Sequence, residues 1–168
     1  SGTTTIKGAF KRNSDSFVFN PQTPANKHTT TMASLQLNQY RNLSEQWDLS
    51  YGLQGNRRMI RSTDRGDHSD WHYAAFSMVQ WKPTTPLTIS GSMRLDHDEN
   101  YGTELMPQIS MSYQKQKWIL RAAAGRSVRA PSYTERFIST NLQGPLTGGR
   151  NLGNPWLEAE RAWSGELG

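Results

Sequence analysis

Apolar and polar residues alternate with a period of two along almost the whole chain, and helical periodicity is nearly absent. The clearest stretch is 87–96, where Leu87, Ile89, Met93 and Leu95 share one face and Thr88, Ser90, Ser92, Arg94 and Asp96 the other. Leu105, Ile109, Met111 and Tyr113 face away from Gln108, Ser110, Ser112 and Gln114 in the same way, as Trp47, Leu49, Tyr51 and Leu53 face away from Asp48, Ser50 and Gln54. Ala33, Leu35 and Leu37 oppose Ser34, Gln36 and Asn38. Trp118, Leu120, Ala122 and Ala124 oppose Arg121, and Trp163, Gly165 and Leu167 alternate with Ser164 and Glu166. The N-terminal stretch alternates weakly, with Ile6 and Phe10 against Lys7 and Lys11. Residues 72–81 are irregular, because Phe76 and Met78 fall on the opposite face from Val79 and Trp81. The pattern predicts eight strands over roughly 3–12, 28–41, 46–62, 71–82, 86–97, 104–115, 117–127 and 161–168.

The connections divide into two kinds. Residues 42–45, 82–86 and 115–116 are short, whereas 13–27, 63–70, 98–103 and 128–160 are mostly longer and richer in Gly, Asn, Asp and Pro. Short and long connections alternate, and in a meander alternate connections lie at the same end of the sheet. One rim is therefore expected to carry tight turns and the other larger loops. Tyr40 and Trp47 flank the first short turn, Trp81 precedes the second, and Tyr113 and Trp118 flank the third. Aromatic rings with a polar edge suit a membrane interface, so these five are expected to form an aromatic girdle. Several predicted strands, 46–62 above all, exceed the ~9–11 residues that cross a bilayer and should project beyond it on the long-loop side.

Composition changes this picture only a little. Hydrophobic residues are 34% of the 168 residues, yet 6 Trp, 6 Tyr and 5 Phe are present, more than a disordered chain carries. A water-lined barrel interior accommodates such polarity. The net charge of +5 is scattered singly rather than gathered in a block, so no nucleic-acid partner is expected. With no cysteine there is no disulfide framework and no thiolate metal or redox site. No apolar run approaches the ~18 residues of a spanning helix, which leaves strands as the means of crossing. The ends read as internal to a longer barrel, with residues 1–168 as one fragment of it.

Candidate chemistry is sparse. His68 and His72 with Asp67 and Asp70 suggest a transition-metal pair only on a helix, and this segment reads as loop and strand. Asp96, Asp98, Glu99 and Asn100 supply oxygen ligands without the spacing of a calcium loop, and Gly144–Gly149 lacks the lysine of a phosphate loop. Neither a metal site nor a resident cofactor is expected. No nucleophile–base arrangement or paired carboxylates emerge, so no enzyme is predicted.

Four stretches carry a family resemblance. They are Trp81-Lys82-Pro83 followed by Leu87 to Asp96; Tyr101-Gly102-Thr103-Glu104-Leu105-Met106-Pro107-Gln108-Ile109-Ser110; Leu120 to Phe137, containing Gly125-Arg126-Ser127-Val128-Arg129-Ala130-Pro131-Ser132; and Gly153-Asn154-Pro155-Trp156-Leu157-Glu158-Ala159-Glu160. In this order and spacing, residues 74–168 resemble the barrel of TonB-dependent outer-membrane receptors, particularly those of Bacteroidetes-like bacteria. Arg126, Arg129 and Glu135 are read as scaffold at the point where a strand enters a long loop. Pro131 would end the ladder there, and Asn154-Pro155 would start the turn back.

The resemblance implies an all-β fold, an antiparallel meander of about eight strands forming part of a larger transmembrane barrel of about 22 strands. It implies a location in the bacterial outer membrane. The lipid bilayer, a separate plug domain and the TonB complex are the expected partners, the last two reached through parts absent from this chain. The implied function is energy-coupled uptake of a scarce nutrient such as siderophore-bound iron, haem, cobalamin or a glycan. A passive porin-like channel and a soluble β-sheet binding module are the alternatives, and a membrane lipase or protease a distant one. Cargo contacts would come from the long loops and the upper lumen wall. His68, Trp71, His72, Tyr101, Tyr133 and Arg136 are the candidates, because aromatics and arginine dominate binding surfaces.

Overall fold

A computed structural model describes residues 2–18, 21–22, 24–142 and 151–168. Eight strands form a single antiparallel sheet in the order in which they occur in the chain. They are β1 (Gly2–Phe17), β2 (Asn26–Asn42), β3 (Trp47–Ser62), β4 (His68–Thr84), β5 (Leu87–Asp98), β6 (Gly102–Lys115), β7 (Trp118–Arg129) and β8 (Glu160–Leu167), with one short helix, α1 (Tyr133–Phe137), between β7 and β8. The sheet is not closed, so β1 and β8 each present an edge. Five strands, β1 to β4 and β6, run 14 residues or longer, and all eight of the expected strands are present.

The register shows what the alternation means. Ile6, Leu37, Leu53, Ala75, Leu95 and Leu105 lie in one row across six strands, joined pairwise as cross-strand partners. Residues paired across an antiparallel ladder point to the same side, so the whole row shares one face. That outward face also carries Trp47, Tyr73, Ile109 and Leu120, all exposed. The inward face is polar. Among the described residues the buried apolar side chains are Ile60, Ala74 and Ala159, while the buried polar group includes Asp48, Asp70, Asp96, Asp98 and Glu104. This is the reverse of a water-soluble sandwich, and it is what a sheet requires when one face meets hydrocarbon and the other an aqueous lumen.

Phe76 and Met78 break the alternation because they point inward, and the register explains how Phe76 is received. Gly52 is its partner across the β3–β4 ladder. A Cβ at Gly52 would come within 2.6 Å of the Phe76 ring and 2.3 Å of the Leu37 carbonyl oxygen. Glycine there makes room for the inward ring, over which Arg94 lies at 5.9 Å.

The connections correct three expectations. The β1–β2 hairpin runs on to Phe17 paired with Asn26, well beyond the expected end at residue 12. The β5–β6 connection at 99–101 is a three-residue turn rather than a large loop, closed by Gly102 in the left-handed region (φ 78°). Asp98 reinforces it by accepting from the Asn100 backbone and side-chain N–H groups at 2.9 and 3.0 Å. Tyr40 does not join the girdle. It points inward with Ser50, its partner on β3, and donates to Asp48 at 2.6 Å. Trp47, Trp81, Tyr113 and Trp118 remain at the short-turn rim on the outward face, and Trp47 stacks on Trp81 at 5.4 Å. The glycine-rich stretch Gly144–Gly149 lies outside the described residues.

Two consequences can be measured by urea unfolding of the intact barrel in lipid vesicles. Leu53→Arg, at mid-height on the outward face, is expected to destabilise by about 2–4 kcal/mol, whereas Ser92→Arg on the inward face is tolerated. Gly52→Ala is expected to cost about 1–3 kcal/mol by overpacking against Phe76 and the Leu37 carbonyl. Equal tolerance of arginine at positions 53 and 92 would contradict the assignment of faces.

Candidate binding site at the loop rim

Inward positions near the long-loop ends of β3, β4 and β5 gather charge from well-separated parts of the chain. Arg58 pairs with Asp70 in the β3–β4 register, and His72 pairs with Asp98 in the β4–β5 register. Arg58 Nη2 lies 2.6 Å from Asp70 Oδ1 and 2.6 Å from Asp98 Oδ2, so one guanidinium joins three strands. His72 stands between two carboxylates, 3.3 Å from Asp96 and 3.3 Å from Asp98. Arg94 completes the group, with Nε 2.7 Å from Asp96 Oδ1 and Nη2 donating to Gln54 at 3.1 Å. Asp96 Oδ1 is close enough to Arg94 for an ion pair but receives no well-aligned hydrogen bond. The ion pair holds Asp96 without that alignment, because charge attraction tolerates angles that a hydrogen bond does not. Asp98 is fully buried and both its oxygens are engaged, which is what a buried carboxylate demands.

The β7–β8 connection folds back over this wall. It leaves β7 through a clasp in which Arg129 Nη2 holds Glu135 at 3.0 Å and Glu160 at 2.8 Å. Ser132 and Glu135 then form a capping box that starts α1. The Ser132 backbone N–H, with Arg129 next, lowers the Glu135 carboxyl to about 2. From α1, Tyr133 donates to Asp70 and to the Arg58 carbonyl, and so lands on the charged wall. Phe137 stacks on His68 at 3.6 Å. Asn141 reaches the β3–β4 connection, its backbone N–H donating to the Asp64 carbonyl at 3.1 Å. The return segment is pressed against the helix, since a Cβ at Gly153 would stand 2.5 Å from the Arg136 carbonyl. Asn154 makes the expected turn, accepting from the Trp156 backbone N–H at 3.0 Å.

Two clefts open beside α1. One, of about 490 Å³, is bordered by Asn100, Tyr101, Arg136, Trp156 and Arg161. The other, of about 220 Å³, is bordered by Met32, Arg58, Asp70, Tyr133 and Arg136. Arg136 borders both, donating to Asn100 and, at 3.2 Å, to the Pro155 carbonyl while its guanidinium lies 4.7 Å over the Phe137 ring. Burial, followed by the charges of Asp98 and Asp96, pushes the Tyr101 phenol up to about 12. Burial and the hydrogen bond to Asp70 raise Tyr133 as well. Both phenols are therefore protonated at neutral pH and act as hydrogen-bond donors.

Five of the six sequence candidates come together here: His68, His72, Tyr101, Tyr133 and Arg136. Trp71 does not. It points outward, stacked on Tyr73 at 5.8 Å with Arg57 5.1 Å over its ring. His68 and His72 cannot share a metal, because four residues along a strand separate their Cα atoms by about 13 Å. Among the described residues no group of His, Asp and Glu is arranged to hold a metal ion. The sequence reading does not single out Arg58, Arg94, Asp96 and Asp98 as a unit. The signal that could have found them is Arg94-Asp96-Asp98 at every second position, three charges on one face of one strand. The scaffold reading of Arg126 is matched by its ion pair with Glu104 at 2.6 Å, a carboxylate shared with Arg161.

Two changes test this geometry. Asp98→Ala should strand Arg58 and Asn100 and cost about 1–3 kcal/mol in urea unfolding. Glu135 has a folded-state pKa below its ordinary 4.5, so its contribution is full above about pH 4.5 and is lost as pH falls through about 2. Hydrogen-exchange protection factors of residues 130–141 are expected to fall as pH drops through that window, and Glu135→Gln to remove this loss of protection.

Comparisons with known proteins follow the same architecture. The family described as TonB dependent receptor-like, beta-barrel matches residues 2–168. The iron-regulated outer membrane virulence protein of Vibrio cholerae is 28% identical over 127 residues, 71% of this chain and 19% of that protein. The siderophore receptor PirA of Pseudomonas aeruginosa superposes with a TM-score of 0.67 at 13% identity, covering 99% of this chain and 36% of that one. A ferric enterobactin receptor (PfeA) of the same organism gives 0.69 at 16% identity, covering 99% and 29%. The chain thus spans about a fifth of the curated relative and about a third of the solved structures. These relatives lend no support to the Bacteroidetes-like detail.

Proposed function

From the premise that this chain belongs to the TonB-dependent receptor-like β-barrel family, we propose that the protein containing it takes up a ferric siderophore across the bacterial outer membrane by energy-coupled transport. The family's place is the outer membrane, and its members are transporters rather than enzymes. Eight strands would form one wall of the barrel, with β1 and β8 joined to further strands. A plug would fill the lumen, and the TonB complex would act on that plug.

One observation carries the choice of cargo: the inward-folded β7–β8 connection sets Arg136, Tyr101 and Tyr133 around clefts at the loop rim. A ferric siderophore is a compact chelate whose oxygen-rich shell is commonly anionic. Arginine supplies charge and paired donors to such a shell, the Tyr101 phenol adds a donor, and the Tyr101 and Tyr133 rings add flat apolar surface. The Arg58–Asp98–His72–Arg94 group serves as a rigid base under these residues, since its charges are already satisfied by one another. The names of the similar proteins, an iron-regulated outer membrane protein and siderophore receptors, support iron over cobalamin or glycan.

Uptake of radiolabelled iron by cells bearing the intact receptor tests the reading. Iron offered as a ferric siderophore is expected to accumulate and to stop accumulating when a proton uncoupler is added. Haem, cobalamin and glycans serve as competing cargoes. Arg136→Ala is expected to weaken siderophore binding about tenfold or more, as loss of a central charged anchor does. Uptake that ignores the uncoupler would indicate a passive channel, and selective uptake of haem or cobalamin would overturn the cargo.

A further inference from the structure

The outward face of β1 to β4 changes character abruptly above its apolar belt. On β3 the belt runs from Trp47 through Leu49, Tyr51, Leu53 and Gly55, and the next two charged outward positions are Arg57 and Arg61. Ten residues separate Trp47 from Arg57. At about 3.4 Å each and a strand tilt near 40°, this is a height of about 26 Å, close to the ~25 Å of an outer-membrane apolar band. Arg57 therefore stands at the far interface when Trp47 stands at the near one. Its guanidinium lies over Trp71, an aromatic suited to that level. Arg12 on β1 pairs with Thr31, which pairs with Met59, so it faces the same way as Arg57 and Arg61 and lies between them in register.

All three arginines are exposed, and among the described residues none forms an ion pair with a carboxylate. No Asp or Glu occupies an outward position on β1 to β4. Asp15, Asp48 and Asp70, the acidic residues of these strands, share the inward face, as their partners His28, Gln80 and Arg58 do. Glu99, in the β5–β6 turn, is committed to the Trp71 backbone N–H at 2.8 Å. A purely cationic patch at headgroup height is unbalanced within the protein. Its counter-charge must come from what surrounds the barrel there, and in that layer the anionic groups are lipid phosphates.

We propose that Arg12, Arg57 and Arg61 form a binding site for the phosphate groups of outer-leaflet glycolipid, on the outward face just above the apolar belt. Acyl chains would lie along Leu35, Leu37 and Leu53 below, so the same molecule meets both the cations and the belt. Arginine fits because its planar fork pairs with phosphate oxygens bidentately. The proposal rests on the outer-membrane assignment with the long-loop rim outside, and not on the identity of the cargo.

The test uses the intact receptor in detergent, titrated with lipid A carrying two phosphates or with its dephosphorylated form, and read by native mass spectrometry. Binding is expected to be about tenfold or more tighter for the phosphorylated lipid. The combined variant Arg12→Gln, Arg57→Gln, Arg61→Gln should abolish that preference, while Arg41→Gln at the opposite rim of the same face should keep it. Heat-dependent mobility on a gel establishes that each variant is folded. The wild-type comparison of the two lipids stands even if the triple variant fails to fold. Equal binding of the two lipids would overturn the proposal, as would an unchanged preference in the folded triple variant. Displacement of the lipid by millimolar inorganic phosphate would overturn it too, by showing a site for the free ion.

Discussion

Inside a membrane no water is available to a backbone N–H or C=O, and each group left unpaired there costs several kcal/mol. That constraint dictates the rest of this structure. It forces the chain into one antiparallel sheet, β1 to β8 in sequence order, with every interior strand paired on both sides. The irregularities in the ladder fall beside prolines. The register shift between Trp81 and Thr84 lies beside Pro83, which has no N–H to give. The β6–β7 ladder runs only as far as Gln108 paired with Gly125, next to Pro107. The same continuity leaves the edges of β1 and β8 in need of partners, which is why this sheet makes physical sense as one wall of a larger barrel.

Once the ladder is fixed, the two faces separate the charges. Carboxylates on the strands share the inward face by register, from Asp15 opposite His28 to Glu160 opposite Arg129. Several are neutralised there by basic side chains, as Asp48 is by Lys82 at 2.8 Å and Glu104 by Arg126 and Arg161. The loop rim uses this economy of charge to hold its shape. Satisfied groups such as Asp98 make the wall rigid, and the β7–β8 connection settles on it through neutral donors, Tyr133 and Asn141, that need no new charge. On the function proposed above, what is left for the cargo is a small set: Arg136, the Tyr101 phenol and the clefts between them.

Much of the fold was legible in the sequence because period-two alternation is the direct imprint of a sheet with unlike faces. All eight strands were found from it, and Leu87 to Asp96 was read with its faces correctly divided. The readings fell short where that imprint fades. Residues 13–17 are polar on both sides, since the hairpin there has left the hydrocarbon and neither face needs to be apolar. Tyr40 was placed in the girdle because a tyrosine beside a turn fits one, while its hydroxyl bond to Asp48 is a contact no local pattern reveals. The site was half legible. Aromatic and arginine composition in the loops pointed to Tyr133 and Arg136. The charged wall beneath them depends on Arg58 meeting Asp98 across 40 residues, which only the register brings together.

The claim on which all of this depends is that the odd-numbered residues of β3 meet lipid and the even-numbered ones meet an aqueous lumen. The chain has no cysteine of its own, so a single cysteine can carry a nitroxide at each position from 47 to 61 in turn. The measurement is the accessibility of each label to oxygen, which concentrates in hydrocarbon, relative to a water-soluble nickel chelate, in the intact receptor in bilayers. The account predicts a strict alternation from 47 to 55 with oxygen favoured at Trp47, Leu49, Tyr51, Leu53 and Gly55, giving way to the nickel chelate from Arg57 onward. An absence of alternation, or alternation with the even positions in lipid, would contradict it.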